Sequence, residues 1–154
     1  MKLKILSVGN RSPQWVRDGV AEYSKRMPRE LKVELVEIGP GKHHKDPAKF
    51  KADEGLKMMS AISESAWVVS LDERGEQVSS TQLADRMNKW QALGRDVVFA
   101  IGGSDGLDAS VLSRADESIA LSALTLPHYL VRVVLTETLY RAWTINQGHP
   151  YHRA

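Results

Sequence analysis

Ser122-Ala-Leu-Thr-Leu-Pro-His-Tyr129 runs straight into the apolar-periodic segment Leu130–Ile145, and this junction decides the architecture. It stands where a strand hands over to a long helix. Pro127 suits the first helical position, because the N–H that a proline lacks would have had no partner there. The interval before it is apolar, has no glycine, and is short of the residues that punctuate a surface loop. A leucine-rich loop is packed against something: another loop, a ligand or a second subunit.

Upstream of this junction, strand and helix patterns alternate. Lys2–Val8 is β-rich and ends at Gly9, a first strand. Pro13 opens a helix through Met27, with Val16, Val20, Tyr23 and Met27 on one face, and Pro28 stops it. Leu31–Ile38 is a second strand, closed by Gly39-Pro-Gly41. A helix is expected from Asp46 to about Ile62, with Phe50, Leu56 and Met59 as its buried candidates. Trp67–Leu71 is an apolar run that reads as a strand covered on both faces, ended by a turn at Asp72-Glu-Arg-Gly75. Ser79 and Gln82 form a capping box for a helix with the stripe Leu83, Met87 and Trp90. Asp96–Ile101 is another buried strand, followed by Gly102-Gly-Ser-Asp-Gly106, a brief helix over Asp108–Ala115 and a strand at Glu117–Leu121. About five strand–helix repeats predict one α/β domain over residues 1–154 with a mainly parallel sheet.

The 154 residues are enough to bury about two thirds of the surface of the unfolded chain. Apolar content of 42% with 26% charged residues is ordinary for a globular protein, and no run is long enough to span a membrane. Met1-Lys-Leu-Lys-Ile-Leu ends its apolar stretch too early for a signal peptide. The absence of cysteine excludes disulfides and thiolate metal sites, so a cytoplasmic location is expected. A net charge of +2 does not announce a nucleic-acid binder. Basic groups do gather at Lys42-His43-His44-Lys45 with Lys49 and Lys51, at Arg132 and Arg141, and in the tail His149–Arg153. The first cluster is either a solvated loop or a phosphate-contacting patch.

In open parallel sheets, ligands bind outside the carboxyl ends of the strands. Three loops qualify: Leu71–Gly75, Gly102–Gly106 and Ser122–His128. The glycine loop has neither dinucleotide-binding nor Walker spacing. It is either a tight turn needing positive φ or a place where backbone approaches a ligand. His149-x-x-His152 has a spacing seen in metal pairs, but Pro150 argues against a helix there and a third ligand is lacking. No metal is expected. No Gly-x-Ser-x-Gly elbow is present. The tail joins rings and guanidinium groups, which suits base stacking and phosphate contact.

Together these segments carry a resemblance that spans nearly the whole chain. They are Val8-Gly9 with Tyr23 and Arg26, Leu71-Asp72, Ile101-Gly-Gly103 with Gly106-Leu107, and Leu121-Ser-Ala-Leu-Thr-Leu-Pro-His128. To these add Leu130-Val-Arg132, Leu139-Tyr-Arg-Ala-Trp143 and His149-Pro-Tyr-His-Arg153. The sequence is similar to the ribosomal RNA large subunit methyltransferase H family, within the SPOUT superfamily of trefoil-knot enzymes. Departures fall at Ser104-Asp105, where members often carry Pro-Glu, and in the Lys42–Lys45 loop.

The resemblance implies an α/β knot of the SPOUT type, the last helix threading an earlier loop, and a homodimer with cofactor sites near its interface. The implied activity is S-adenosylmethionine-dependent methylation of N3 of a pseudouridine in 23S rRNA of the assembled ribosome. Cofactor contacts carry over to Leu71, Asp72, Gly103, Ser122, Ala123, Leu124, Thr125, Leu126 and Pro127. An imide nitrogen is nucleophilic only after losing its proton, so a base or a positive field is required. His152 and Arg153 are expected to supply it, with Tyr151 seating the base; a Glu137–Arg141 pair either orients the tail or is a surface salt bridge of small value. A SPOUT enzyme acting on tRNA and a non-catalytic ribosome-associated module are the alternatives.

Overall fold

The computed structural model describes residues 1–40 and 46–153; the Lys42–Lys45 cluster lies outside the described residues. Five strands form one sheet: β1 (Lys2–Val8), β2 (Lys32–Ile38), β3 (Trp67–Gln77), β4 (Val97–Ile101) and β5 (Glu117–Ala120). Their order is β2-β1-β4-β3-β5, and every pairing is parallel. The helices are α1 (Gln14–Ser24), α2 (Pro47–Ser60), α3 (Ser80–Leu93), α4 (Ala109–Arg114) and α5 (His128–Gln147).

Alternation along the central strands divides the core in two. Leu3 and Ile5 of β1 and Val97, Phe99 and Ile101 of β4 face α3 and α5, where Leu83, Met87, Trp90, Leu135 and Leu139 are buried. Leu6, Val8, Val98 and Ala100 face the other way, onto Met58 of α2 and Val111 of α4. α5 packs between α1 and α3, so these three helices share one face and α2 with α4 cover the other. A strand buried on both faces must read as a continuous apolar run, as Val97–Ile101 does.

Local signals account for the helix ends. Ser79 and Gln82 form the expected capping box, and Gly94 closes α3 in the left-handed conformation at φ 66°. Asp46 caps α2 by accepting from Ala48 N–H. Pro127 is the N-cap of α5, with ψ 140°, and not its first helical residue. A capping residue needs extended ψ, and the proline ring fixes only φ.

Two further expectations fail. Leu56 is exposed, and the buried face of α2 is Glu54, Gly55 and Met58. The helix turns that face inward because Gly55 lies against Asp108, where an added Cβ would meet the Asp108 Cβ at 2.7 Å. The turn at Asp72–Gly75 does not end the third strand. Leu71 and Glu76 both pair with Ile119, so Asp72–Gly75 is looped out as a bulge and β3 resumes beyond it. Gly75 is needed there, since a Cβ would sit 2.8 Å from the Ile119 backbone.

Candidate active site

The three loops singled out from the sequence converge at the carboxyl edge of the sheet. They enclose a cleft of about 610 Å³ lined by Leu71–Arg74, Ile101–Leu107 and parts of Ile119–Leu126, with Lys51, His128 and Val131 completing the wall. That volume suits a cofactor of nucleoside size. Of the residues expected to bind cofactor, Leu71, Asp72, Gly103, Ser122, Leu124, Thr125 and Leu126 line the cleft. Ala123 and Pro127 belong to the same loop but are not among its lining residues. Lys51, Glu73, Arg74 and His128 also line the cleft; the sequence placed them in candidate loops or a basic cluster but gave none of them a cofactor contact.

The leucine loop forms a wall for want of internal partners. Leu124 N–H bonds to Ser122 Oγ at 2.9 Å, while the backbone groups of Thr125 and Leu126 make no hydrogen bond among the described residues. Leu124 is 77% exposed, so its side chain is not core. Opposite, the glycine loop closes on itself: Gly106 N–H donates to Gly103 C=O at 3.0 Å, and Gly106 has φ 81°. A Cβ on Gly102 would come within 2.4 Å of the Gly106 carbonyl carbon. Both glycines therefore serve the turn itself. Asp72 sits at the rim, its carboxyl held below the usual carboxylate range by the hydrogen-bonding Arg74 guanidinium.

The tail is ordered but lies elsewhere on this chain. Pro150–His152 is a short 3₁₀ turn capped by His149, whose Nδ1 accepts from Tyr151 N–H. The Tyr151 hydroxyl donates to Glu137 Oε1 at 2.9 Å, and Arg141 Nη2 reaches the same oxygen at 2.7 Å. The ring of Tyr151 packs on Tyr140 at 4.6 Å, with the Arg141 and Arg26 guanidinium groups over it. Burial, then the Glu137 carboxylate, push the Tyr151 phenol well above its ordinary pKa, so it stays a donor. Glu137 is nine residues along α5 from His128, about 14 Å at 1.5 Å per residue. Thus Tyr151 is anchored on a different part of α5 from the cleft wall, and His152 and Arg153 follow it in the chain.

A third polar cluster links the first turns of α5 to β1. Arg132 is fully buried; its Nε donates to Ser7 Oγ at 2.8 Å and its Nη2 to the carbonyls of Val8 and Gly9 at 3.1 and 2.7 Å. Glu37 lies 3.6 Å from Nη1. Burial lowers the Arg132 pKa, and the nearby Glu37 carboxylate opposes that shift. His128 rests against the Tyr129 ring at 4.3 Å. Burial, then the Arg132 cation, lower its pKa and favour the neutral imidazole.

A parallel sheet of this order with a cleft at the carboxyl edge, one wall a glycine turn and the other an apolar loop, is consistent with the SPOUT methyltransferase fold. The family profile described as "Predicted SPOUT methyltransferase" matches residues 1–152. The chain is 50% identical to the ribosomal RNA large subunit methyltransferase H of Paraburkholderia phymatum over 155 aligned positions, covering 99% of each chain. It is 51% identical to that of Paraburkholderia xenovorans, again covering 99% of each. To the Chromohalobacter salexigens protein of the same name it is 50% identical, covering 99% of this chain and all of the relative. The chain belongs to the ribosomal RNA large subunit methyltransferase H family, and it is a methyltransferase. Among the described residues no group of three or more His, Asp or Glu side chains could hold a metal ion, and no helix is long and apolar enough to cross a membrane.

Proposed function

We propose that this chain methylates N3 of a pseudouridine in 23S rRNA of the assembled ribosome, in the cytoplasm, with S-adenosylmethionine as donor. Residues 1–154 act as one catalytic domain, in which α5 threads an earlier loop as in the trefoil-knot enzymes. The cleft built from Leu71-Asp72, the Gly102–Gly106 turn and Ser122–Leu126 is the observation that carries this reading.

The residues present fit the donor. Leu124, Thr125 and Leu126 offer an apolar wall whose free backbone N–H and C=O groups suit the edge of an adenine. Asp72 is an ionised acceptor at the rim, suited to a ribose hydroxyl. S-adenosylmethionine supplies an electrophilic methyl group on a sulfonium. When the N3–C bond forms, the S–C bond breaks and the imide proton must already have left. His152 is proposed as the acceptor of that proton, with Arg153 stabilising the imide anion and Tyr151 seating the base.

The roughly 14 Å along α5 between Tyr151's anchor and the cleft wall favours a homodimer in which the tail of one protomer serves the cleft of its partner. Trp15 on α1, 55% exposed, and Leu124, at the cleft, are apolar surfaces suited to such an interface. Mass spectrometry of nucleosides from a deletion strain tests the reading. Loss of 3-methylpseudouridine from 23S rRNA supports it; a loss confined to tRNA, or no loss at all, overturns it. Methyl transfer is expected on whole ribosomes and to be weak on free 23S rRNA, because a net charge of +2 gives little general affinity for RNA.

A further inference from the structure

The order β2-β1-β4-β3-β5 has a topological switch point that the cleft does not fully use. β1 connects through α1 toward β2, whereas β4 connects through α4 toward the opposite edge and the opposite face. Ligands in open α/β sheets bind where such connections diverge, here between the ends of β1 and β4. The cleft takes the β4 side of that crevice. Its β1 side is the loop Gly9–Ser12, which borders the cleft: Val8 Cγ1 lies 3.2 Å from the Cβ position of Gly103, and His128 Nε2 lies 3.5 Å from that of Gly9.

This loop is held unusually hard. The carbonyls of Val8 and Gly9 accept from Arg132, that of Asn10 from the Tyr129 hydroxyl, and that of Ser12 from Arg17. Ser12 is buried and its hydroxyl donates to Glu37 at 3.0 Å. Side chains from α1 and α5 thus fix four of five successive carbonyls. The residue between them, Arg11, sits at φ 57°, the only non-glycine residue with positive φ among those described. A conformation that L side chains rarely adopt persists only when its surroundings over-determine it, and such residues gather at functional sites. The Arg11 side chain is exposed and has no hydrogen bond or ion pair among the described residues. By contrast Arg74, Arg86, Arg114 and Arg141 are each tied to a carboxylate.

We propose that the Gly9–Ser12 loop is a preformed RNA-backbone clamp, in which Arg11 makes a bidentate contact with a substrate phosphate beside the methyl-transfer cleft. Arg132 and Tyr129 are positioning residues for that clamp. A guanidinium fork matches phosphate geometry, and a loop already fixed loses little freedom on binding. The proposal rests on the rRNA methyltransferase reading above.

The test is methyl transfer from labelled S-adenosylmethionine to 70S ribosomes, with cofactor affinity by calorimetry and subunit mass by light scattering. Arg11→Ala is expected to raise KM for ribosomes about tenfold while kcat and cofactor Kd stay within about twofold. The slope of log affinity against log salt should fall by about one, as for one lost phosphate contact. Arg11→Lys should recover part of the loss. Arg11→Gly relieves the backbone conformation, so its Tm should rise while KM for ribosomes still rises, which separates contact from fold. Unchanged KM and salt slope in Arg11→Ala, or a change in its state of assembly by light scattering, overturns the clamp. An unaltered protein that binds cofactor yet methylates no ribosomes overturns the underlying function instead.

Discussion

The two ends of α5 present opposite kinds of surface. At its N-terminus, Ser122–Leu126 exposes leucine and unpaired backbone and has almost no side-chain bonding of its own. Toward its C-terminus, Glu137, Tyr140 and Arg141, joined by Arg26 from beyond α1, hold Tyr151 by a shared carboxylate, a tilted ring contact and two guanidinium groups. The first region is suited to receive a flat, neutral ring. The second already has a ring, supplied by its own chain. On the proposed function one helix divides the labour: it ends the proposed cofactor wall at one end and anchors the proposed catalytic tail at the other.

Substitutions at the two ends should separate these roles. The largest effect is expected from Gly102→Ala, whose Cβ meets backbone at 2.4 Å and must open the turn. Cofactor affinity should fall at least ~100-fold, roughly 3 kcal/mol by calorimetry, with the tail untouched. His152→Ala should act in the reverse sense, lowering kcat by about 10² to 10⁴ as for loss of a general base and leaving cofactor Kd within about twofold. Equal loss of both quantities would erase the division. Leu124→Asp should weaken cofactor binding by about tenfold (about 1.4 kcal/mol) with Tm nearly unchanged, since the side chain is 77% exposed. If that variant unfolds, the loop is core and not wall.

Smaller effects sharpen the contrast. Tyr151→Phe keeps the ring contact with Tyr140 and removes one hydrogen bond to Glu137, which should cost about 0.5–1.5 kcal/mol in thermal or chemical unfolding. At the other end, His128 has a lowered folded pKa, so the unfolded chain binds its proton first as pH falls. Stability from this source is present above the ordinary histidine value of about 6.5 and is lost as pH drops through the folded value. His128→Asn should flatten that acid limb of the unfolding profile while leaving the alkaline side unchanged.

Most of the layer structure was legible because the signals are local. Val97–Ile101 is apolar throughout since both faces are covered, and Ser79 with Gln82 names a helix start by its hydrogen bonds alone. What failed was set by distant partners. Asp72–Gly75 has turn chemistry, but whether the strand resumes depends on Ile119, more than forty residues away. The inward face of α2 depends on Asp108 against Gly55, and a buried Glu54 leaves no apolar mark. The cleft residues from Leu71 to Leu126 followed from family motifs and loop position. The loop at Arg11 did not, because a left-handed arginine looks like any other in sequence.

The double pairing of Ile119 also bears on how this protein can change over evolutionary time. Because Leu71 and Glu76 share one partner, no pairing on either side depends on how many residues lie between them. Codons can be gained or lost at 73–74 without moving β5 or anything after it, provided Asp72 and the glycine against Ile119 remain. One rim of the cleft is thereby free to lengthen or shorten, and the fold offers a site where new specificities can be sampled by length and not by repacking.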